Sequence, residues 1–505
     1  MPTWSPSRSR WIPVVLAGWL LGVGCGQVGF DRAGGPIDAS TGGHDAALGP
    51  PDAQLAADRC DRAAPAVPAP TGRVWYVDPA GSDLTGTGGA GAPYATLDGL
   101  GTLPQPGDQV RLRPGVYGRQ RVGFDGSQST PISITVEGQA GAEIDGSDVT
   151  GAFEGALDLD GRHDLIVDGL LIRDSGERGI TADFATRITL QNLTILRSAT
   201  DAVVIGGTGH LLDHNEFLDS GTRHAGGDGS AVGTGLAINW NTAGQANQSL
   251  VIRRNRIAGV WGFGITASHV QDLVVSDNVL VDIAWDAVVI NRGRSVVLTR
   301  NVIAHEGAGY RFTSGAPNGL LFPIAAVPMP SIEAPFTTPS QDLVIHNNLL
   351  RGVRWGVGTY CDDGLPLADA ADATWANVEI AHNTFVDVDE PISTNGRCAQ
   401  GPVPTSFVAV ANVALRSPGA LAGPWLVPSY NCWEASTGTL TAPTDLPGPC
   451  GLRDDAAAGV GAFAPMPAAS VLAAGPAGNT LDDLLCRPRS PSAPSVGAYE
   501  APLDP

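Results

Sequence analysis

The sequence predicts an all-β protein, a single parallel β-helix with coils of about 23 residues. Short segments rich in Val, Ile and Leu recur from about Leu165 to Val388 and show no helical period. Most of these segments carry an asparagine at one fixed place, and four of the seven steps along this column are 23 residues long. The aligned column is Gly169, Asn192, Asn215, Asn255, Asn278, Asn301, Asn348 and Asn383.

Stacking of such coils gives the asparagines a structural role. Neighbouring coils lie about 4.8 Å apart, so the aligned side chains are expected to hydrogen-bond to one another as a ladder. A second strand, such as RGITA or DAVVI, follows each asparagine by roughly ten residues. We call the turn before this strand the first turn and the turn after it the second turn. Residues 220–233 are expected to enlarge a first turn, and residues 315–341 and 361–377 to enlarge second turns.

Residues 1–25 predict an export signal. Two arginines precede an apolar run, residues 11–23, that is too short for a comfortable membrane span. The run ends in LGVGC, which resembles a bacterial lipobox, where the cysteine is acylated after cleavage. The chain is thus expected in the bacterial outer envelope as a lipoprotein anchored through Cys25, with ordinary secretion as the alternative. Residues 26–70 are of low complexity and predict a flexible tether.

The ordered part opens with motifs that resemble a known group of proteins. They are the turn Gly81-Ser82-Asp83, the segment PYATL and a Pro-Gly-Asp before a strand, and the chain ends near GAYE. These pieces resemble extracellular right-handed parallel β-helix proteins, including family nine pectate lyases and surface-anchored bacterial relatives. The resemblance implies a right-handed β-helix over residues 71–420. Residues 421–505 are expected to lack the asparagine strands and to form a terminal coil and an irregular cap.

Charge limits the partners. The chain has no lysine and a net charge of −21, which argues against nucleic acid as a partner. We expect a monomer that contacts the membrane only through a lipid anchor. Family nine pectate lyases use a lysine base beside Ca²⁺, so that mechanism cannot be carried over. The signatures of β-helix galacturonan hydrolases and mannuronan epimerases are also incomplete. The fold does not give the function. A polysaccharide is the expected partner because of the residues at the first turns, with the reaction, if any, open between a lyase and a hydrolase.

Catalytic candidates gather at the first turns. Asp282 and His305 stand four residues after the asparagine column on adjacent coils, so a carboxylate is expected to orient a histidine there. Supporting charges would come from Asp219, Asp286 and Arg354. The alternative for the aspartates is turn formation, and a single histidine is often structural.

Aromatic residues share this side. Trp261, Trp285 and Trp355 follow the column by six or seven residues and are expected to form a row on which sugar rings pack. The inserted loop would add Arg223, His224 and Asp228. Alternatively, tryptophans at turns shield the edge of the core, and the chain is a non-catalytic surface or adhesion protein.

Seven cysteines suggest disulfides and one lipid site. Cys361 and Cys398 should lie one coil apart and pair, Cys432 with Cys450 would close a short loop, and Cys60 and Cys486 are left over. No cofactor is implied with certainty. Asp362 and Asp363 form a possible Ca²⁺ site, although an Asp-Asp-Gly turn is the simpler interpretation.

Overall fold

The computed structural model describes most of the chain from residue 63 onwards. The described residues are 63–138, 141–227, 232–238, 247–306, 317–321, 340–359, 375–394, 405–419, 426–434, 442–446, 449, 450, 452, 471, 482–487, 489 and 494–499. All strand pairings between the named strands in this part of the chain are parallel, and each strand pairs with its counterpart one coil further on. The chain is a right-handed parallel β-helix, as expected.

Each coil has three walls. Wall A precedes the asparagine corner, wall B follows it, and wall C follows the first turn. Wall B is a 12-stranded sheet with strands Gly115–Tyr117, Ala142–Asp145, Leu171–Arg173, Thr194–Leu196, Glu216–Leu218, Arg256–Val260, Val279–Ile283, Val302–Ala304, Leu349–Arg351, Thr384–Val386, Val413–Leu415 and Cys432–Trp433.

Walls A and C belong to one continuous 20-stranded sheet, because three long strands bend from wall C into wall A. The long strands are Arg178–Gln191, Gly262–Ser276 and Asp286–Thr299. The other strands of wall A are Val74–Val77, Gln109–Leu112, Ile132–Val136, His163–Asp168, Leu211–Asp213, Asn247–Arg253, Ser340–His346, Trp375–Ala381, Thr405–Val410 and Leu426–Ser429. The other strands of wall C are Gln120–Arg121, Gly155–Asp158, Val203–Thr208, Gly233–Ile238, Asn318–Leu321, Trp355–Thr359 and Glu390–Thr394. The α-helix Leu97–Leu100 and the 3-10 helix Thr222–His224 complete the described elements.

The asparagine ladder is present and every described amide in it is satisfied. In each step the amide nitrogen donates both to the next asparagine, at 2.9–3.0 Å, and to a carbonyl of wall A. The last amide donates to Asp445 at 3.2 Å, which ends the ladder with a carboxylate. The members are Asn215, Asn255, Asn278, Asn301, Asn348, Asn383, Asn412 and Asn431.

The predicted column was wrong at its two N-terminal members. Gln191 pairs with Asp213, which places Leu193, not Asn192, level with Asn215. Gly169 and Asn192 lie one position earlier, where the backbone turns with φ of 79° and 54°. Asparagine and glycine both tolerate this left-handed conformation, so the same residue types serve two adjacent positions and the repeat period alone does not separate them.

Two predicted insertions include regular strands. Asn318–Leu321 lies within the expected 315–341 loop, yet it pairs with both neighbouring strands of wall C. The expected 361–377 loop likewise overlaps Trp375–Ala381 of wall A. A strand of four residues between long connections has too few residues to show a period.

The C-terminal region does more than close the solenoid. The prediction that residues 421–505 lack the asparagine strands was wrong, because Asn431 continues the ladder. Beyond it, the described residues of 482–499 lie along the outside of the helix, from Asp482 beside Arg300 and Asn347 to Gly497 beside Ala411. Gly497 N donates to Ala411 O at 2.7 Å, and Ala498 N donates to Thr384 Oγ1 at 2.9 Å. Apolar residues of this segment pack on the outer face of wall B. The segment contributes Val496, Ala498 and Tyr499, and wall B contributes Val302, Leu349, Val386, Val413 and Leu415.

One predicted disulfide is confirmed. Cys432 and Cys450 are bonded at the end of the helix. Cys486 is also disulfide-bonded. Cys25, Cys60, Cys361 and Cys398 lie outside the described residues, as do Asp362 and Asp363, so the predictions for them stay predictions.

Buried histidines make the stability depend on pH. Burial lowers the pKa of His210 and of His269 to about 4, and that of His382 lies well below its ordinary value of 6.5. These histidines are therefore protonated near pH 6.5 in the unfolded chain but only near pH 4 in the folded chain. The free energy of unfolding is highest above pH 6.5 and decreases as the pH falls from 6.5 towards 4.

We expect His210 alone to cost about 2 kcal/mol of unfolding free energy between pH 7 and pH 5. Urea titrations at both pH values measure this loss. His210→Asn is the matched control, because its amide oxygen can replace Nδ1 as the acceptor for Ile188 N–H, 3.2 Å away, without titrating. An equally steep loss in this variant would contradict the assignment.

Candidate functional site

Turn lengths single out two adjacent coils, residues 255–300, which we call the central coils. Only Trp261 separates walls B and C in the first of them, and only Ala284 and Trp285 in the second. Their second turns are absent, since one strand continues from wall C into wall A. By contrast, residues 219–232 and 239–246 connect the strands of the preceding coil, and residues 305–317 and 322–339 connect those of the following coil. The central coils therefore lie between two coils whose strands are joined by long connections.

The outer face of wall C in the central coils is polar and recessed. Ile265, Ala267, Val288 and Ile290 point into the core, so the residues between them face outwards. Thr266 and Asn291 are partly exposed there, whereas Ser268 and Val289 are only 9% and 5% exposed and lie beneath the accessible surface. We call this surface the central face. It consists of Thr266, Ser268, Val289 and Asn291.

The three predicted tryptophans do not share one column. Trp285 N donates to Gly262 O at 3.0 Å, so Trp261 lies one position before it in the register. Trp355 lies one position further and two coils on, level with Asp286. Trp261 and Trp285 are both half-buried at the first-turn end of the central face, whereas Trp355 has the Arg354 guanidinium 5.0 Å from its ring centroid. Two of the three thus lie beside the central face.

Asp282 and His305 are adjacent, as predicted. Val281 pairs with Ala304, and His305 Nδ1 lies 3.8 Å from Asp282 Oδ1, beyond hydrogen-bond range. The same carboxylate oxygen accepts from Glu306 N at 2.8 Å, and Asp282 has a φ of 53°. The His305 side chain is 2% exposed. The pair therefore has the geometry of a turn, and a ligand would have to displace neighbouring groups to reach the imidazole.

The other catalytic candidates occupy different environments. Asp219 occupies the same left-handed turn position in its own coil, with a φ of 53°. Asp286 is fully buried at the start of its strand. Arg354 is placed against Trp355, and its neighbour Arg351 pairs with Glu306 at 3.0 Å. The roles predicted for these residues are not tested by their positions alone.

The described part of the inserted loop, residues 220–227, contacts a coil on the N-terminal side of the predicted pair. Arg223 Nη2 donates to Gly176 O at 2.6 Å and to Glu177 Oε1 at 2.8 Å, two coils towards the N-terminus. Burial, followed by the charge of Arg223, lowers the pKa of His224. Asp228 lies outside the described residues. The convergence expected of Arg223 and His224 with Asp282 is therefore not what the described part of the loop shows.

The residues at the opposite end of the central face were not predicted from the sequence. His269 and Arg292 occupy equivalent positions on the two coils, both with positive φ, where the strands bend into wall A. Arg292 is 8% exposed, and burial followed by the Arg292 charge lowers the pKa of His269 to about 4. The central face thus runs from two tryptophans to a neutral imidazole beside a cation. The uninterrupted length of both strands was the available signal.

The described residues form neither a candidate metal cluster nor a candidate membrane-spanning helix. Within the described residues no group of three or more His, Cys, Asp or Glu side chains is arranged to hold a metal ion. No helix in the same part of the chain is long and apolar enough to cross a membrane.

Comparisons with known proteins concern the fold. A family described as "right handed beta helix region" matches residues 178–320. The GH136 lacto-N-biosidase of Eubacterium ramulus is similar with a TM-score of 0.50 and 15% identity, over 72% of this chain and 68% of that one. Pectate lyase Pel9A gives 0.45 and 13% over 85% and 97%, and PfbA, a surface adhesin of Streptococcus pneumoniae, gives 0.45 and 11% over 65% and 83%. No curated protein matches the sequence. The resemblance to right-handed β-helix proteins is confirmed.

Proposed function

We propose that this chain is an exported β-helix protein that binds a polysaccharide across its central coils. The observation that carries the proposal is the central face: a mostly polar strip whose Thr266 and Asn291 are partly exposed, with Trp261 and Trp285 at one end and His269 and Arg292 at the other. Aromatic rings pack on the apolar faces of sugars, while hydroxyl, amide and cationic groups satisfy sugar hydroxyls. The fold is also that of a lacto-N-biosidase, a protein named for a carbohydrate substrate, which is consistent with the proposal.

Binding without cleavage is favoured over catalysis at the predicted pair. A general acid or base must come within hydrogen-bond reach of its substrate. The His305 side chain is 2% exposed, and Asp282 already accepts a backbone hydrogen bond from Glu306. This geometry favours the non-catalytic alternative, in which a surface protein holds a glycan rather than cutting it.

Surface anchoring is part of the proposal. The lipobox-like segment would leave Cys25 as an acylated N-terminus, with the tether holding the β-helix away from the membrane. The mass of the N-terminal peptide of the mature protein tests this, since only the anchored form carries the acyl groups.

Replacing Trp285 by alanine is expected to weaken glycan binding about tenfold, because an aromatic platform at the end of the central face is lost. Calorimetric titration of the full chain with neutral and acidic oligosaccharides measures the change. Phe184→Ala is the control, since Phe184 is 47% exposed at the bend of strand Arg178–Gln191, in another coil. Equal affinity of Trp285→Ala and the unaltered protein would contradict the site.

The same titrations decide whether the chain is catalytic. Reducing ends and the absorbance of unsaturated products are followed on every oligosaccharide that binds. Binding without product supports the proposal. Product that disappears in His305→Ala and in Asp282→Ala would overturn it in favour of an enzyme built on that pair.

A further inference from the structure

A second aromatic surface lies at the N-terminal end of the same row of first turns. Phe153 stands in the turn between strands Ala142–Asp145 and Gly155–Asp158 and is 55% exposed. Its φ of 71° is in the left-handed region, which a bulky side chain rarely adopts. Such strain persists only where the surroundings hold it. Neither burial of the ring nor the backbone preference of phenylalanine stabilises this conformation, so contacts with neighbouring residues must hold it.

Arg178 supplies part of the hold on this ring. Its guanidinium carbon lies 5.0 Å from the Phe153 ring centroid, and its Nη1 donates to Phe153 O at 3.4 Å. Asp201 Oδ2 lies 3.3 Å from Arg178 Nε, and the arginine side chain is only 12% exposed. The ring is thus oriented from beneath by a buried cation while more than half of it faces solvent.

An ion pair lies next to the ring in the chain. Glu154, the residue after Phe153, pairs with Arg119 at 2.8 Å, and Arg119 also lies 3.5 Å from Asp158. The side chains of Glu154 and Arg119 are 41% and 32% exposed, so both are available to a ligand. An oriented aromatic face with exposed carboxylate and guanidinium groups beside it matches the requirements of a sugar ring, which is apolar on its faces and rich in hydroxyls at its edge.

We propose that Phe153, Glu154 and Arg119 form a second carbohydrate subsite, one that takes a pyranose of a neutral polysaccharide. The neutral class follows from charge: the chain carries −21 overall, and Arg178 and Arg119 are already paired with carboxylates. A polyuronate would have to compete with those carboxylates for the arginines. This inference rests on the proposed function, because it extends glycan binding from the central coils to the N-terminal coils.

The two sites lie on one edge of the helix. Four coil steps separate the wall C strands Gly155–Asp158 and Gly262–Ser276, which corresponds to about 19 Å. A single extended glycan chain can span this distance. Contact with both sites would raise the affinity for long chains over short ones, because the second contact becomes intramolecular.

The test compares Phe153→Ala with Phe184→Ala. Phe184 is a matched control, because it is also exposed, at 47%, and also has a positive φ, of 58°. The full-length variants are titrated with β-1,4-linked glucan, mannan and xylan hexaoses and with tetragalacturonate. We expect Phe153→Ala to raise the Kd of the hexaose that binds by about tenfold, Phe153→Trp to retain binding, and Phe184→Ala to leave it unchanged.

Three results would overturn the subsite: no neutral hexaose binds the unaltered protein, tetragalacturonate binds more tightly than every hexaose, or Phe153→Ala binds as the unaltered protein does. Thermal melting shows whether the variants fold. Phe153→Gly, which suits the φ of 71°, is expected to fold at least as stably and still lose binding.

Trp285→Ala separates the two proposals. Loss of affinity in Trp285→Ala but not in Phe153→Ala rejects only the subsite, and the reverse rejects only the central face.

Discussion

Replacing Asn301 by alanine is expected to lower the free energy of unfolding by about 3–5 kcal/mol. Asn301 is fully buried in the middle of the ladder. Its oxygen accepts from Asn278 N at 3.1 Å and Asn278 Nδ2 at 3.0 Å, and its amide donates to Val275 O at 2.9 Å. Alanine leaves these buried groups without partners, and each costs about 1–3 kcal/mol. Urea unfolding followed by circular dichroism measures the loss.

Asn192→Ala is the control for this change. Asn192 is exposed in the position before the ladder, where its amide reaches Asp168 Oδ1 at 2.6 Å and its φ is 54°. Alanine there loses a solvent-exposed contact and adopts a less favoured conformation, at about 1 kcal/mol. Equal losses in the two variants would show that the register assigned to the ladder is wrong.

Tyr499→Ala is expected to be the second most damaging single change, at about 3 kcal/mol or more. Tyr499 is 1% exposed and belongs to the apolar cluster between the C-terminal segment and the outer face of wall B. The substitution leaves a cavity and loosens the segment. Valines and leucines of wall B then become accessible, so the variant should also bind a hydrophobic dye and aggregate on warming.

Val427→Ala serves as the comparison, because Val427 is 60% exposed on the last strand of wall A. It should change stability by less than about 0.5 kcal/mol. If Tyr499→Ala were equally mild, the C-terminal segment would be a loosely attached tail rather than part of the folded unit.

The sequence was informative wherever the fold repeats. A step of 23 residues and its asparagines predict the solenoid, because each coil must present the same groups to the next one. The period does not set the register to a single residue, since the left-handed position next to the ladder also favours Asn and Gly. Asn412 and Asn431 were missed for a different reason: the steps that lead to them, of 29 and 19 residues, depart from the period of 23.

The candidate site was harder to predict, because it depends on what the coils lack. Trp261 and Trp285 were found from their spacing. The central face, however, is recognised only from the strand bounds, which show that the central coils have very short connections while the flanking coils have long ones. Phe153 gave no signal either, since an aromatic residue in a turn is unremarkable until its φ and exposure are known. Adjacency of Asp282 and His305 followed from the register, whereas the burial of the imidazole did not.

The most direct test of the account is a crystal structure of the full chain with the neutral hexaose that binds best. We predict sugar density over Thr266, Ser268, Val289 and Asn291, with one ring against Trp285 and the chain directed towards His269. Density confined to other coils, or a crystal saturated with hexaose that shows none on the central face, would contradict the account.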